Sequence, residues 1–473
     1  MERIFMSRQS NLAKNTLILS IGTFLPKLAS FFTLPILTGY LTKEEYGTYD
    51  LITVLVSLYL PIMTVQIHTA AFRFLLDKRE NKERQKSIIT TILVFTLITS
   101  ILSLLLLMFL LPGSIGIRLA ICGYYIADIL VNSVRQISRG VGNNFSYSIS
   151  AVISSICKLL LAIVFVLYLK MGLLGGTLAL FGASFISLIY ISFSFHIWRY
   201  IDFKQLSFQE LKNLLGYSWP MVPNHMSMWV ISASDRFIVS GILGLGANAI
   251  YAAATKIPSL INLAQNALNM AWTENASISE KDKDSDLYYT DMLGVMVNLQ
   301  TTAFTGIIAV VPLLFRILIK GDYAASYNHI PILCYAIFFQ GLSLFLGGIY
   351  VAKKATKNVG ITSVLAALLN IIVNLSLIKF IGIYAASIST LVSYIALFSY
   401  RLYNVQKLSK ITLNIKQFIV VNILMILELF LCYQKNTYIN ILNFVLCCVV
   451  AFMLNRVLIK KIVQKLRGKI RRK

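Results

Sequence analysis

The sequence predicts an all-α, polytopic membrane protein of about fourteen transmembrane helices: two six-helix lobes related by a pseudo-two-fold axis, plus a C-terminal helix pair. Three observations carry this prediction. Of 473 residues, 57% are hydrophobic and 13% charged, about half the charged share of a soluble globular chain. Apolar runs of about twenty residues recur from end to end, each long enough to cross about 30 Å of hydrocarbon as a helix. The second half of the chain also repeats features of the first, in order.

The spans fall near 15–40, 46–72, 87–111, 115–135, 146–169, 173–197, 214–241, 247–272, 291–318, 327–352, 358–378, 382–403, 414–433 and 438–459. The first run outlasts a signal peptide's apolar core and shows no small-residue cleavage site, so it is expected to be retained. An even number of spans puts both termini on one side. That side carries 32 Lys and Arg in its tails and loops. The other carries seven, namely Lys43, Arg118, Lys170, Arg316, Lys320, Lys379 and Lys435. The split predicts that both ends lie in the cytoplasm. The formal charge of +24 therefore sets topology and meets anionic lipid headgroups rather than nucleic acid. The tail at 461–473 belongs to this picture. In "NRVLIKKIVQKLRGKIRRK", Ile459, Ile462, Val463, Leu466 and Ile470 recur at helical spacing among basic residues, the pattern of a helix lying on the membrane.

Several chemistries are excluded. All six cysteines lie in apolar spans, and the adjacent pair Cys447–Cys448 suits neither a metal site nor a structural disulfide. The four histidines lack ligand spacing, and there is no G-x-x-x-x-G-K-S loop for nucleotide hydrolysis. No cofactor is expected, and the outer loops are too short to carry the clustered carboxylates that an integral-membrane glycosyltransferase or polymerase would want.

The duplication is weak but ordered. "TGYLTKEEYGTYDL" (38–51) parallels "SGILGLGANAIYAA" (240–253), and "GLLGGT" (172–177) parallels "GIYAAS" (382–387). Prolines repeat as well: Pro26 and Pro35 fall in the first span, Pro220 and Pro223 in the seventh, Pro61 in the second and Pro258 in the eighth. Proline removes a backbone donor and kinks a helix. Broken helices at matching places in two halves point to a transport site. Six spans separate the copies, so both share one orientation and the axis lies along the membrane normal. The lobes are placed at 1–200 and 211–404, and the helix pair at 405–460.

The segment "SWPMVPNHMSMWVISASDRFIVSGILGLGANAIYAAATKIPSL" (218–260) resembles the Wzx-type lipid-linked oligosaccharide flippases of the multidrug/oligosaccharidyl-lipid/polysaccharide exporter superfamily. Carrying the resemblance are Pro220 and Pro223, Asp235–Arg236, Gly241, and Tyr251, Lys256 and Pro258. "LPKLASFFTLPILTGYLTKEEYGTYDL" (25–51) looks like the family's opening segment. The resemblance implies export of undecaprenyl-diphosphate-linked repeat units for O-antigen, capsule or exopolysaccharide. It further implies alternating access through a central cavity, a groove for the lipid tail at the last two helices, and work beside a polymerase and chain-length machinery.

Six charges lie deep in the spans: Lys27, Asp128, Lys158, Asp235, Arg236 and Lys256. At roughly 2.5–3.5 kcal/mol each on insertion scales, together they approach about 15–20 kcal/mol, so they must pair or meet water. Their sum is net positive, which suits a lipid diphosphate. Arg236, Lys256, Lys27 and Lys158 are the candidate phosphate contacts. Asp235 and Asp128 are candidates for gating or for coupling to a proton or sodium gradient. Neighbours on a helix point about 100° apart, so Asp235 and Arg236 should each face a partner of their own, and a lysine such as Lys27 or Lys256 is expected for Asp235. The alternative is that the pair only locks the seventh helix to its neighbours. Arg73, Arg135 and Arg139 are expected at the interface, Glu428 as a protonated or snorkelling carboxyl, and 274–291 as a solvated connector. Two other functions compete: a flippase for the lipid-linked peptidoglycan precursor, and a multidrug cation antiporter, which would want an acidic cavity.

Overall fold

A computed structural model describes residues 22–76, 78, 81–110, 114–219 and 221–470. Among them the chain is helical throughout, with no strand. Helix α1 (22–40) is followed by α2 (Lys43–Met63), α3 (Ile67–Leu76), α4 (Lys82–Leu110), α5 (Ile115–Val141), α6 (Asn144–Ala162), α7 (Gly172–Phe195) and α8 (Phe208–Ser218). Then come α9 (Met221–Leu243), α10 (Leu245–Lys256), α11 (Ser259–Ile278), α12 (Ser285–Leu318), α13 (Ile330–Ala352), α14 (Thr356–Ile381), α15 (Tyr384–Val405), α16 (Ile415–Tyr433) and α17 (Thr437–Ile470). Eleven helical segments among the described residues are long and apolar enough to cross a membrane. The other three expected spans are helical but fall outside that set. The first begins within 1–21, outside the described residues; the seventh carries Asp235–Arg236; the eighth is divided at Ile257–Pro258.

The prolines act unequally. Helix α1 runs unbroken through Pro26 and Pro35, so neither stops it. Pro258 stands at the joint of α10 and α11, where three-residue hydrogen bonds replace the helical pattern. Pro61 lies near the end of α2, and the break to α3 follows it at Val65 and Gln66, both with positive φ. The second and eighth spans are therefore both divided helices. Pro220 lies outside the described residues, and Pro223 is carried inside α9.

The chain divides into two compact units at Ala233/Ser234. The division falls inside α9 rather than in the 201–210 connection, and the packing explains it. Leu214 of α8 belongs to a core with Ile67, Leu75, Ile88, Ile92, Val131 and Ile191. The indole of Trp229 donates to Val54 O and Ser57 Oγ on α2. The first half of α9 is thereby held by the first unit.

In that unit, Thr42 caps α2 and Glu45 closes a capping box. The Glu45 carboxylate also accepts from Leu173 N at the start of α7, at 3.1 Å. Gly172 there has φ +56°, and a Cβ would collide with Glu45. The repeat motifs at 38–51 and 172–177 thus meet through one acidic residue.

In the second unit the central helix is α13, of whose membrane window 78% is buried, against 17% for α17. Gly341 and Gly348 face Gln300, Gln265 and Trp272 so closely that a Cβ would lie within 2.6 Å of them. The α16–α17 pair is docked on α12 rather than standing apart. Gln417 Nε2 donates to Asn298 Oδ1 at 2.7 Å, and Asn455 Nδ2 to Thr302 Oγ1 at 2.7 Å. The 274–291 segment is mostly helical, with Asp286 accepting from Ser409 Oγ and Lys410 N, and Lys353 paired to Glu280 at 3.4 Å.

Candidate functional site

Two polar sites lie among the helices, one in each unit. In the first unit, α5, α6 and α7 pack on one another, and small residues on α7 (Gly175, Ala179, Ala183, Ser187) let them approach. They enclose, with α1, a pocket of about 240 Å³ lined by Asp128, Arg135, Lys158, Tyr124, Ser154 and Ser184, with Pro26 at its edge. Two cations face one carboxylate, so the pocket is net positive. Asp128 accepts from Asn132 Nδ2 at 3.0 Å and Ser184 Oγ at 3.4 Å. Lys158 Nζ sits 5.7 Å from the Tyr49 ring centroid. Although both line the pocket, Asp128 and Lys158 form no ion pair within 4.0 Å. A lysine that lines a pocket beside a π face, with no carboxylate within ion-pair distance, can offer its charge to a ligand.

Arg135 forms the wall. Its Nε donates to Ser150 Oγ at 2.9 Å, and Nη2 to Ser150 O at 3.0 Å and Ser187 Oγ at 2.8 Å. One guanidinium therefore ties α5 to α6 and α7, correcting the expectation of an interfacial residue. Arg139 is stacked over Phe72 at 4.4 Å.

The second site is sealed. Asp235, 5% exposed on α9, accepts from Tyr251 Oη (2.9 Å, Oδ2), Thr390 Oγ1 (2.8 Å, Oδ2) and Asn374 Nδ2 (2.7 Å, Oδ1). These donors come from α10, α15 and α14. The expected lysine is replaced by a phenol, a hydroxyl and an amide. Hydrogen bonds to a charged group contribute about 1.5–3 kcal/mol each, so a neutral shell can hold the carboxylate where a lysine would itself need desolvation. The side-chain oxygens of Asn370 and Asn374 are buried with no hydrogen-bond partner among the described residues. One carboxylate with amide, hydroxyl and phenol oxygens is a donor set suited to a small hard cation. Turning the Asn374 amide over would present its oxygen to such an ion.

Residues 12–273, more than half of the chain, match the polysaccharide biosynthesis protein family. The chain belongs to that family. It is 24% identical over 318 residues to an uncharacterized membrane protein of Methanocaldococcus jannaschii, covering 63% of this chain and 73% of that one. Among solved structures, the inward closed lipid II flippase MurJ matches with a TM-score of 0.70 at 17% identity, over 94% of this chain and all of the other. An outward-facing multidrug resistance MATE family transporter of the MOP superfamily matches at 0.59 and 14% identity, over 84% and 95%. A MOP superfamily transporter from Pyrococcus furiosus matches at 0.57 and 15% identity, over 83% and 95%. The fold is the one these MOP superfamily structures share, and the chain is a multi-pass membrane protein.

Within the family member, the predicted site residues separate. Asp128 and Lys158 line one pocket. Asp235 and Arg236 diverge as adjacent helical residues should: Asp235 turns to α14 and α15, while Arg236 Nη2 donates to Thr255 Oγ1 of α10 at 3.3 Å. Lys256 is half-buried at the C-terminus of α10, next to that threonine. Lys27 is exposed on α1 and does not line the 240 Å³ pocket.

Sequence reasoning missed Ser184, Asn374 and Thr390 because uncharged polar residues abound in these helices. It also missed Arg401. Only 3% exposed, Arg401 donates to Thr362 Oγ1, Ser343 O, Val359 O and Ser363 Oγ at 2.7–3.3 Å, joining α15 to α13 and α14. It stands near the end of a span, where depth along the helix does not single it out. Glu428 is fully buried, and neither carboxyl oxygen has a hydrogen-bond partner among the described residues, so it does not snorkel. His225 on α9 is exposed.

Proposed function

We propose that this protein is a flippase that carries undecaprenyl-diphosphate-linked oligosaccharide repeat units across the cytoplasmic membrane, feeding O-antigen, capsule or exopolysaccharide synthesis. The observation that carries the reading is the net-positive pocket of Arg135, Lys158 and Asp128 within apolar helices. A diphosphate is the most strongly anionic part of such a substrate, and an ammonium in a low-dielectric pocket attracts it far more than in water. The polyprenyl tail stays in lipid, so only the charged and hydroxylated head needs a path. Arg236 on α9 and Lys256 at the C-terminus of α10 supply further cations, and alternating access moves the head outward. Family membership supports the polysaccharide pathway.

Coupling to sodium or protons is assigned to Asp235, whose shell of neutral oxygens fits a small cation, with Asp128 as the second carboxylate. A flippase for the lipid-linked peptidoglycan precursor is the second reading, favoured by the 0.70 TM-score to MurJ. A multidrug cation antiporter would need an acidic cavity, and two cations to one acid oppose it.

Deletion in the native host, followed by analysis of the accumulated lipid-linked sugars, tests the reading directly. A polyprenyl-diphosphate oligosaccharide should accumulate on the cytoplasmic face. Accumulation of the peptidoglycan precursor alone would transfer the assignment to the second reading. Arg236→Ala and Lys256→Ala should each stop surface polysaccharide at normal protein level; full polysaccharide from both removes them from the substrate path.

A further inference from the structure

Three of the basic residues on the sparsely charged side of the sequence converge in one place. Arg316, Lys320 and Lys435 line a pocket of about 640 Å³ in the second unit. It lies where the C-terminal end of α12 meets the turn between α16 and α17. No aspartate or glutamate lines it. Asp322, two residues beyond Lys320, is the nearest acid in sequence and does not line it; counting it still leaves two positive charges in excess. The lining also has an apolar part, with Leu313 and Phe315 on α12 beside Ile319 and Tyr327.

The lysine of the turn is held by its backbone. Lys435 adopts φ +52°, a left-handed conformation that a residue with a Cβ keeps only where its surroundings impose it. Its Nζ is drawn over the Tyr327 ring, 5.2 Å from the centroid. The Tyr327 hydroxyl is anchored on Cys432 O at 3.0 Å, which ties the pocket floor to α16. Lys320 Nζ donates to Arg316 O at 2.8 Å, folding that side chain back along the pocket's edge.

We propose that this pocket binds the phosphate of an anionic membrane lipid, with the acyl chain along the Leu313–Phe315 wall. Free phosphate shares the headgroup chemistry but has no use for the apolar wall. The pairing of cations with an adjoining greasy face is the pattern of lipid headgroup sites between helices. The site would fasten the α16–α17 pair to α12 through a bound lipid, and it depends on neither the transported substrate nor the coupling ion.

The test uses the full-length protein in detergent, with lipid retention read by native mass spectrometry. It is titrated with phosphatidylglycerol, with phosphatidylcholine of the same chains, and with inorganic phosphate. Phosphatidylglycerol should be retained at least about tenfold over phosphatidylcholine. Each cation near a lipid surface contributes about a fivefold preference, so the Arg316→Gln, Lys320→Gln, Lys435→Gln triple variant should lose the preference altogether. Lys435→Gln alone should lose about fivefold; it is the control should the triple variant fail to elute as a monodisperse protein. Leu313→Asn should weaken lipid retention while leaving headgroup selectivity intact. An unchanged preference in both cation variants overturns the proposal. So does displacement of the lipid by millimolar inorganic phosphate, which would make this a site for the free ion.

Discussion

The two units hold a carboxylate among packed helices, and they treat it oppositely. Asp128 opens onto a pocket with Lys158 and Arg135 and is left with one amide and one long hydroxyl contact. Asp235 is closed in by three neutral donors from three helices. The first arrangement leaves charge available to a ligand; the second spends hydrogen bonds to keep a charge out of reach of anything larger than a small ion. The two carboxylates stand on helices that are not copies of each other, Asp128 on the fourth span and Asp235 on the seventh. Each takes its chemistry from the side chains packed around it, a lysine and an arginine in one case and an amide, a hydroxyl and a phenol in the other.

Lys158→Ala should produce the largest effect. Truncating a desolvated charge contact costs about 2–5 kcal/mol, so export of lipid-linked sugar should fall about a hundredfold, measured against protein level on the same membranes. Lys158→Arg should keep part of the activity. Retention of full export by Lys158→Ala would erase the contrast between the pockets.

Arg401→Met comes next and bears on stability. Losing four hydrogen bonds inside the second unit should cost about 2–4 kcal/mol, read as a lowered Tm of the purified protein, with Lys a poor substitute for the forked guanidinium. Asp235→Asn sharpens the comparison further. It removes charge with little change of shape, so export should fall about tenfold and lose its dependence on a sodium or proton gradient in vesicles. A variant that loses stability but keeps gradient dependence would make Asp235 a helix lock. Glu428→Gln should be the mildest, within about 0.5 kcal/mol of the parent, since no donor or cation among the described residues binds the carboxyl. Loss of export there would give α16 a role beyond packing.

Much of the molecule was legible beforehand. Apolar runs fixed the helices because the bilayer leaves a chain few alternatives. The divided eighth span was readable from Pro258, since proline acts locally through its own ring. Pro26 and Pro35 carried the same signal, yet α1 continues through both, because neighbouring packing can offset one missing hydrogen bond. Depth in the spans pointed to Asp128, Lys158 and Asp235 but put Arg135 at the interface and passed over Arg401. Position along a helix gives depth only approximately, and rotation about its axis is set by neighbours.

The sequence by itself determined the class, the helices, the charge asymmetry and the family, all properties of local composition or of residues adjacent in the chain. Only the tertiary structure decided which charge meets what. Partners such as Asp235 with Asn374 lie 139 residues apart, and a hydrogen bond is fixed by distances of tenths of an ångström that no local pattern encodes.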